Sequence, residues 1–204
     1  MQDFIITQKN NIWWGMFPRL SQAGFGNACS CRLHGESNLV PRTLNLALHV
    51  GDDAELVLQN RRLFAQALGL DASKFTTCEQ VHGSNVAVVD EALVGAGATT
   101  LADTIKDTDA LVTNLANVPL LLFFADCVPL LFADERQGVL AWYGSTDWAQ
   151  NCRSYAAILR LPSRRYRCCY RSFYRPMLLR GRRFCARQGC RLRAVLCSQS
   201  CNAR

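Results

Sequence analysis

Long hydrophobic runs are missing from this 204-residue sequence. The best apolar stretch, residues 119–125, is bounded by Asn117 and Asp126 and falls far short of the ~18–20 residues of a spanning helix, so no membrane-spanning helix is expected. The first ten residues, MQDFIITQKN, lack a positive region followed by an apolar one, so no secretory signal is expected and the cytoplasm is the expected compartment. In such a reducing compartment cysteines read as thiols or metal ligands rather than disulfides. Histidine is scarce, with only His34, His49 and His82. Lysine is absent from residues 142–204, which also hold a single acid, Asp147.

What is present divides in two. Residues 1–141 carry 9 Lys+Arg against 15 Asp+Glu, a net charge of −6, whereas residues 142–204 carry 14 Arg against one acid, a net of +13. Seven of the 11 cysteines also lie in the second part. Length and apolar content suit one domain with a real core. The composition break places that domain at 1–141 and marks 142–204 as a tail of another kind, expected to be disordered or misfolded.

Along the first part, Leu44, Leu46 and Leu48 recur at period two in TLNLALHV (43–50), predicting a half-buried strand with Asn45 and His49 on its other face or at its end. Asp52 and Asp53 precede the clearest helix, Ala54–Leu68, and Gly69 stops it. Its stripe of Val57, Phe64 and Leu68, flanked by Leu56, Leu63 and Ala67, predicts packing on a sheet, with Asn60, Arg61 and Arg62 turned to solvent or a loop. Arg32, His34, Gly35 and Ser37 read as a polar loop. Val86, Val88 and Val89 predict a strand after a turn at Gly83, which puts His82 at an element boundary. Strands are further expected at 110–113, 119–125, 129–133 and 138–141. The connections are short and mostly not helical, so the fold class is α+β: a mixed β-sheet or sandwich core with flanking helices, in a single domain.

The run VPLLLFFADCVPLL (118–131) sets Asp126 and Cys127 between two apolar halves. A buried carboxylate needs partners, and a cysteine becomes a ligand or nucleophile only as a thiolate. The run therefore reads as a buried strand ending at a site.

These residues resemble the multicopper polyphenol oxidase (laccase-domain) family, whose members are understood as zinc-dependent purine nucleoside phosphorylases that also deaminate adenosine. The resemblance rests on LNLALHVGDD (44–53), NRRLFAQALGL (60–70), QVHGSNVAVVD (80–90), DALVTN (109–114), ADCVPLLFAD (125–134) and GVLA (138–141), in family order, with CRLHGESN (31–38) a weaker match. It implies a zinc site with His82 and Cys127 as two ligands. The family's third ligand is a His in a His-Ala-Gly-Trp segment beyond GVLA, where this chain reads WYGSTDW and holds no His. Zinc suits two imidazoles and a thiolate, leaving the fourth position for water or substrate. Such a metal activates water for deamination at the purine C6, while phosphorolysis requires orienting phosphate and stabilising the departing base. Asp126, counted with His82 and Cys127 among the catalytic residues, is placed to orient a ligand, with a structural hydrogen bond as the alternative. Arg32 reads either as a phosphate or carboxylate contact or as a solvated loop residue. The implied partners are purine nucleosides and phosphate. A copper-dependent laccase is the older reading of the family, and three His in total argue against it.

The tail has two readings. One is an arginine-rich RNA-binding arm. The other is a frameshift. Residues 165–183, RYRCCYRSFYRPMLLRGRR, back-translated and read one nucleotide later, permit a run ending in Gly-Pro-Cys-Cys-Tyr-Glu-Val-Gly, a segment the family carries at this place. Only the middle base of each shifted codon is free, so the agreement favours a chain out of frame from about Trp142. Arginine without lysine and scattered cysteine then follow from out-of-frame reading of a GC-rich gene, and nucleic acid is not an expected partner. No Cys-x-x-Cys zinc pattern occurs in the tail.

Overall fold

The computed structural model describes residues 4–125, 129–134, 138–144, 168–169 and 195–199. In chain order its strands and helices are β1 (Ile5–Lys9), β2 (Ile12–Met16), α1 (Pro18–Gln22), β3 (Asn27–Ser30), β4 (Leu33–Ser37), α2 (Ala54–Leu68), β5 (Val86–Val88), β6 (Ala110–Thr113), β7 (Leu120–Phe124), β8 (Pro129–Asp134), β9 (Val139–Gly144), β10 (Cys168–Cys169) and β11 (Val195–Gln199). They form two five-stranded sheets, ordered β1-β2-β3-β11-β7 and β10-β8-β9-β6-β5. Both are mixed. In the first, β1, β2 and β3 are antiparallel neighbours, while β11 runs parallel to both β3 and β7. In the second, β8, β9 and β6 are antiparallel and β5 is parallel to β6. The fold is α+β in a single domain, as the short connections imply.

β7 explains the apolar run. Leu120, Leu122 and Phe124 enter one core with Leu20, Phe25, Leu111 and Leu131, and Leu121 enters a second core with Phe64, Phe75, Leu44 and Leu46. A strand covered on both faces has no polar side to present, so its sequence does not alternate.

Helix α2 begins and ends as its residues dictate. Asp53 accepts from Glu55 N and Leu56 N at its N-terminus, and Gly69 adopts φ +71° at its C-terminus. Val57, Phe64 and Ala67 are buried, with Leu56, Leu63 and Leu68 half-buried beside them. Two expectations for this helix are corrected. Asn60 and Arg61 do not face solvent: they are 0% and 2% exposed, and only Arg62 points outward.

The reason lies in residues 43–50, which do not form the expected strand. Only Thr43 makes strand-like bridges, to Leu33 and Ser37. Asn60 Nδ2 donates to the carbonyls of Thr43 (3.3 Å) and Asn45 (2.9 Å), and its Oδ1 accepts from Glu36 N (2.7 Å). Arg61 Nε donates to Leu46 O (2.8 Å), and its Nη1 reaches Gly97 O (2.6 Å) and Ala98 O (2.8 Å). Helix side chains thus satisfy backbone groups that a strand ladder would otherwise use. Leu44 and Leu46 are buried at period two all the same.

The polar stretch at residues 32–37, expected as a loop, is mostly strand β4. It is held to the next turn by Asp52, which accepts from Ser37 Oγ, Asn45 Nδ2 and the N–H groups of Leu39 and Asp53. Partial burial works against ionisation of Asp52, but these hydrogen bonds outweigh it and hold the carboxyl below its ordinary range.

Candidate functional site

Residues 78–85 run between the two sheets' buried strands and carry His82. Cys78 is buried, and burial together with the charge of Asp109 pushes its thiol up to about 12. It stays protonated at neutral pH and packs in the core with Leu120 and Leu122. Two residues on, the backbone turns sharply. Gln80 has φ +57° and His82 has φ +62°, a left-handed conformation disfavoured by any side chain with a Cβ. Three contacts fix it. Gln80 N donates to Thr108 O at 2.9 Å. Asp109, fully buried just before β6, accepts from His82 N (2.7 Å) through one carboxylate oxygen and from Gly83 N (2.8 Å) through the other. The Gln80 side chain takes both backbone groups of Phe123, donating to its carbonyl and accepting from its N–H, each at 2.8 Å.

The outcome is an exposed His82 on a fixed backbone. Phe123 to which its loop is tied lies on β7, three residues before Asp126 and four before Cys127 in the sequence. Asp126 and Cys127 themselves lie outside the described residues, as do Ser145 to Trp148, where a third donor was sought. Among the described residues no group of three His, Cys, Asp or Glu side chains is arranged to hold a metal. His82 is exposed, and its backbone is anchored through Asp109 independently of any ligand.

A second histidine approaches the same strand. The ring of His49 meets that of Phe123 edge to face at 5.5 Å, and the Arg61 guanidinium lies over the Phe123 ring, 5.4 Å from its centroid. Burial against these neighbours, reinforced by the positive charge of Arg61, lowers the pKa of His49. His49 is therefore predominantly neutral at pH 7 and able to accept a hydrogen bond. The sequence marked it only as the end of an expected strand. Its neighbourhood depends on a helix residue twelve positions later and a strand far along the chain, and no local pattern encodes that. Arg32 is half-buried rather than solvated, with its carbonyl accepting from Leu44 N at 2.7 Å.

Two mixed sheets, a helix capped by Asp53 and Gly69, and a histidine turn braced to a buried strand make the frame of a laccase-domain fold. Residues 26–144 match the family described as multi-copper polyphenol oxidoreductase laccase, more than half of the chain, and the chain belongs to that family. It is 41% identical over 106 residues to a protein of Geobacillus stearothermophilus named purine nucleoside phosphorylase YlmD, covering 52% of this chain and 39% of that one. It is 36% identical over 98 residues to a protein of an unknown prokaryotic organism named adenosine deaminase RL5, covering 48% of this chain and 37% of the relative. Among solved structures, YlmD from Geobacillus stearothermophilus superposes with a TM-score of 0.65 at 33% identity, covering 72% of this chain and 54% of that chain. A Bacillus licheniformis hypothetical protein, YfiH, gives 0.62 at 26% identity, covering 74% and 55%. The chain thus spans about two fifths of the length of these curated relatives. No helix among the described residues is long and apolar enough to cross a membrane.

Proposed function

We propose that this chain carries the framework of a cytoplasmic, zinc-dependent purine nucleoside phosphorylase that also deaminates adenosine, with His82 and Cys127 as two of its metal donors and Asp126 beside them. The observation that carries the reading is the braced turn, which fixes the backbone of an exposed histidine and ties its loop to the strand that precedes Ala-Asp-Cys in the sequence. The names of the relatives support the reaction, and the family match supports the fold. When bound, zinc supplies a Lewis acid for activating water or polarising a leaving group. The chain's own residues do the remainder. Asp109 and Gln80 anchor the donor loop. His49, kept neutral, offers an acceptor to a bound base, and Arg32 offers a cation to phosphate. Asp126 orients the neighbouring thiolate.

The same reading makes the chain as written a defective enzyme, because the third donor is missing from residues 142–148. We assign that loss to a change of reading frame near Trp142, and with it the boundary between a domain at 1–141 and a tail at 142–204. The family match, which ends at residue 144, supports that boundary. Zinc analysis after dialysis, paired with phosphorolysis and deamination assays on adenosine and inosine, tests the proposal. Substoichiometric zinc and little turnover are expected. One zinc per chain with normal turnover contradicts the defect, and RNA binding by the full chain that weakens steeply with salt would favour the arginine-rich arm instead.

A further inference from the structure

One edge of β7 is paired to β11, and the other is met by the segment that leads to His82. Along that second edge Thr76 N donates to Pro119 O and Leu121 N donates to Thr76 O, both at 2.9 Å. At the next position, Phe123, the partner is no longer backbone. The Gln80 side chain replaces it, presenting its amide N–H and C=O to Phe123 as a strand residue would. The ladder is thereby continued past the point where the backbone has turned away into its left-handed residues, Gln80 and His82. From the other side Asp109 uses both carboxylate oxygens on consecutive N–H groups, those of His82 and Gly83. The close fit extends to Gly83, where a Cβ would come within 3.0 Å of Asp109 Oδ2.

We infer that Gln80 and Asp109 are positioning residues for His82, a two-point clamp that fixes the donor's backbone between the start of β6 and the second edge of β7. The inference rests on His82 being a metal donor. A loop that only had to cover the sheet edge could leave its turn to solvent. This one directs a buried carboxylate to the N–H groups of His82 and Gly83, and ties Gln80, two residues before the histidine, to Phe123 of β7 through its whole side-chain amide. Loosening either point lets the imidazole swing relative to β7 while leaving the core of the domain intact.

The test compares the full chain with Gln80→Ala, Asp109→Asn, His82→Ala and a control, Val57→Ala, which truncates a buried α2 side chain that belongs to neither of the clusters containing β7. Two quantities are read: amide hydrogen exchange of His82 and Gly83 by NMR without metal, and Co2+ affinity by titration of its visible absorption. In the wild type both amides are expected to exchange slowly. Gln80→Ala and Asp109→Asn are expected to speed exchange at these two positions by about tenfold or more, and to weaken Co2+ binding by about 10–100-fold. Val57→Ala is expected to change neither. Unchanged exchange in both clamp variants overturns the inference, and so does faster exchange with unaltered His82-dependent Co2+ affinity. If His82→Ala binds Co2+ as the wild type does, the metal reading itself fails, and the exchange rates alone then decide whether Gln80 and Asp109 fix the turn.

Discussion

Residues 43–50 and β7 present the same hydrophobic signal and reach different structures. In both, leucines enter the core shared with Phe64, Leu44 and Leu46 from one and Leu121 from the other. β7 has a strand neighbour in β11, and its apolar residues continue on both faces. Residues 43–50 have Asn60 and Arg61 above them, and the helix side chains hold their carbonyls. Periodicity therefore reports which side chains are buried. It does not report what satisfies the backbone, and here a buried arginine and asparagine take the place of a strand.

The strongest way to break this contrast is to remove the arginine. Arg61→Met is expected to leave the carbonyls of Leu46, Gly97 and Ala98 without their donor and to cost about 3–5 kcal/mol in urea unfolding. A loss below about 1 kcal/mol would mean that the segment is held by its leucines alone. Truncating the leucines asks the complementary question. Leu44→Ala and Leu121→Ala are each expected to cost about 2–5 kcal/mol and to do so similarly, because the two side chains are 2% and 0% exposed in the same core. A much smaller loss for Leu44 would show that burial outside a ladder is worth less. Gly69→Ala, at the φ +71° end of the helix that carries both polar anchors, is expected to cost about 1–2 kcal/mol, measured as a fall in urea midpoint at constant slope.

The smallest effect is one of pH. His49 has a folded pKa lowered by burial and by Arg61. A group that binds its proton less readily when folded takes up more protons unfolded, so stability rises with pH between the folded and the unfolded pKa. The part due to His49 is present above its ordinary value near 6.5 and is lost as pH falls below it. His49→Gln is expected to flatten that slope just below about pH 6.5, and an unchanged slope would show that the ring is free of Phe123 and Arg61.

Much of the frame was legible in the residues. Asp53 and Gly69 delimit α2 because capping chemistry is local, and the apolar runs at 110–113, 120–124 and 129–134 locate strands because burial on both faces leaves no ambiguity. Asn60 and Arg61 were misread because a charge on a helix ordinarily marks solvent, and their partners are carbonyls far along the chain. The site was half legible. His82 could be picked out from its boundary position and family motif, but the clamp could not, since Gln80 and Asp109 meet it only through the turn and across 27 residues of sequence. The path from Ala141 onward is a different matter: WYGSTDW holds no His where the resemblance places a third ligand, and the proposed change of frame there is a departure that packing cannot report.

That departure is open to one direct measurement, sequencing of the gene across codons 138–150. The expected result is a change of frame in this interval that restores Gly-Pro-Cys-Cys-Tyr-Glu-Val-Gly downstream and with it a place for the third donor. A single intact frame encoding WYGSTDW and the arginine-rich tail would contradict it.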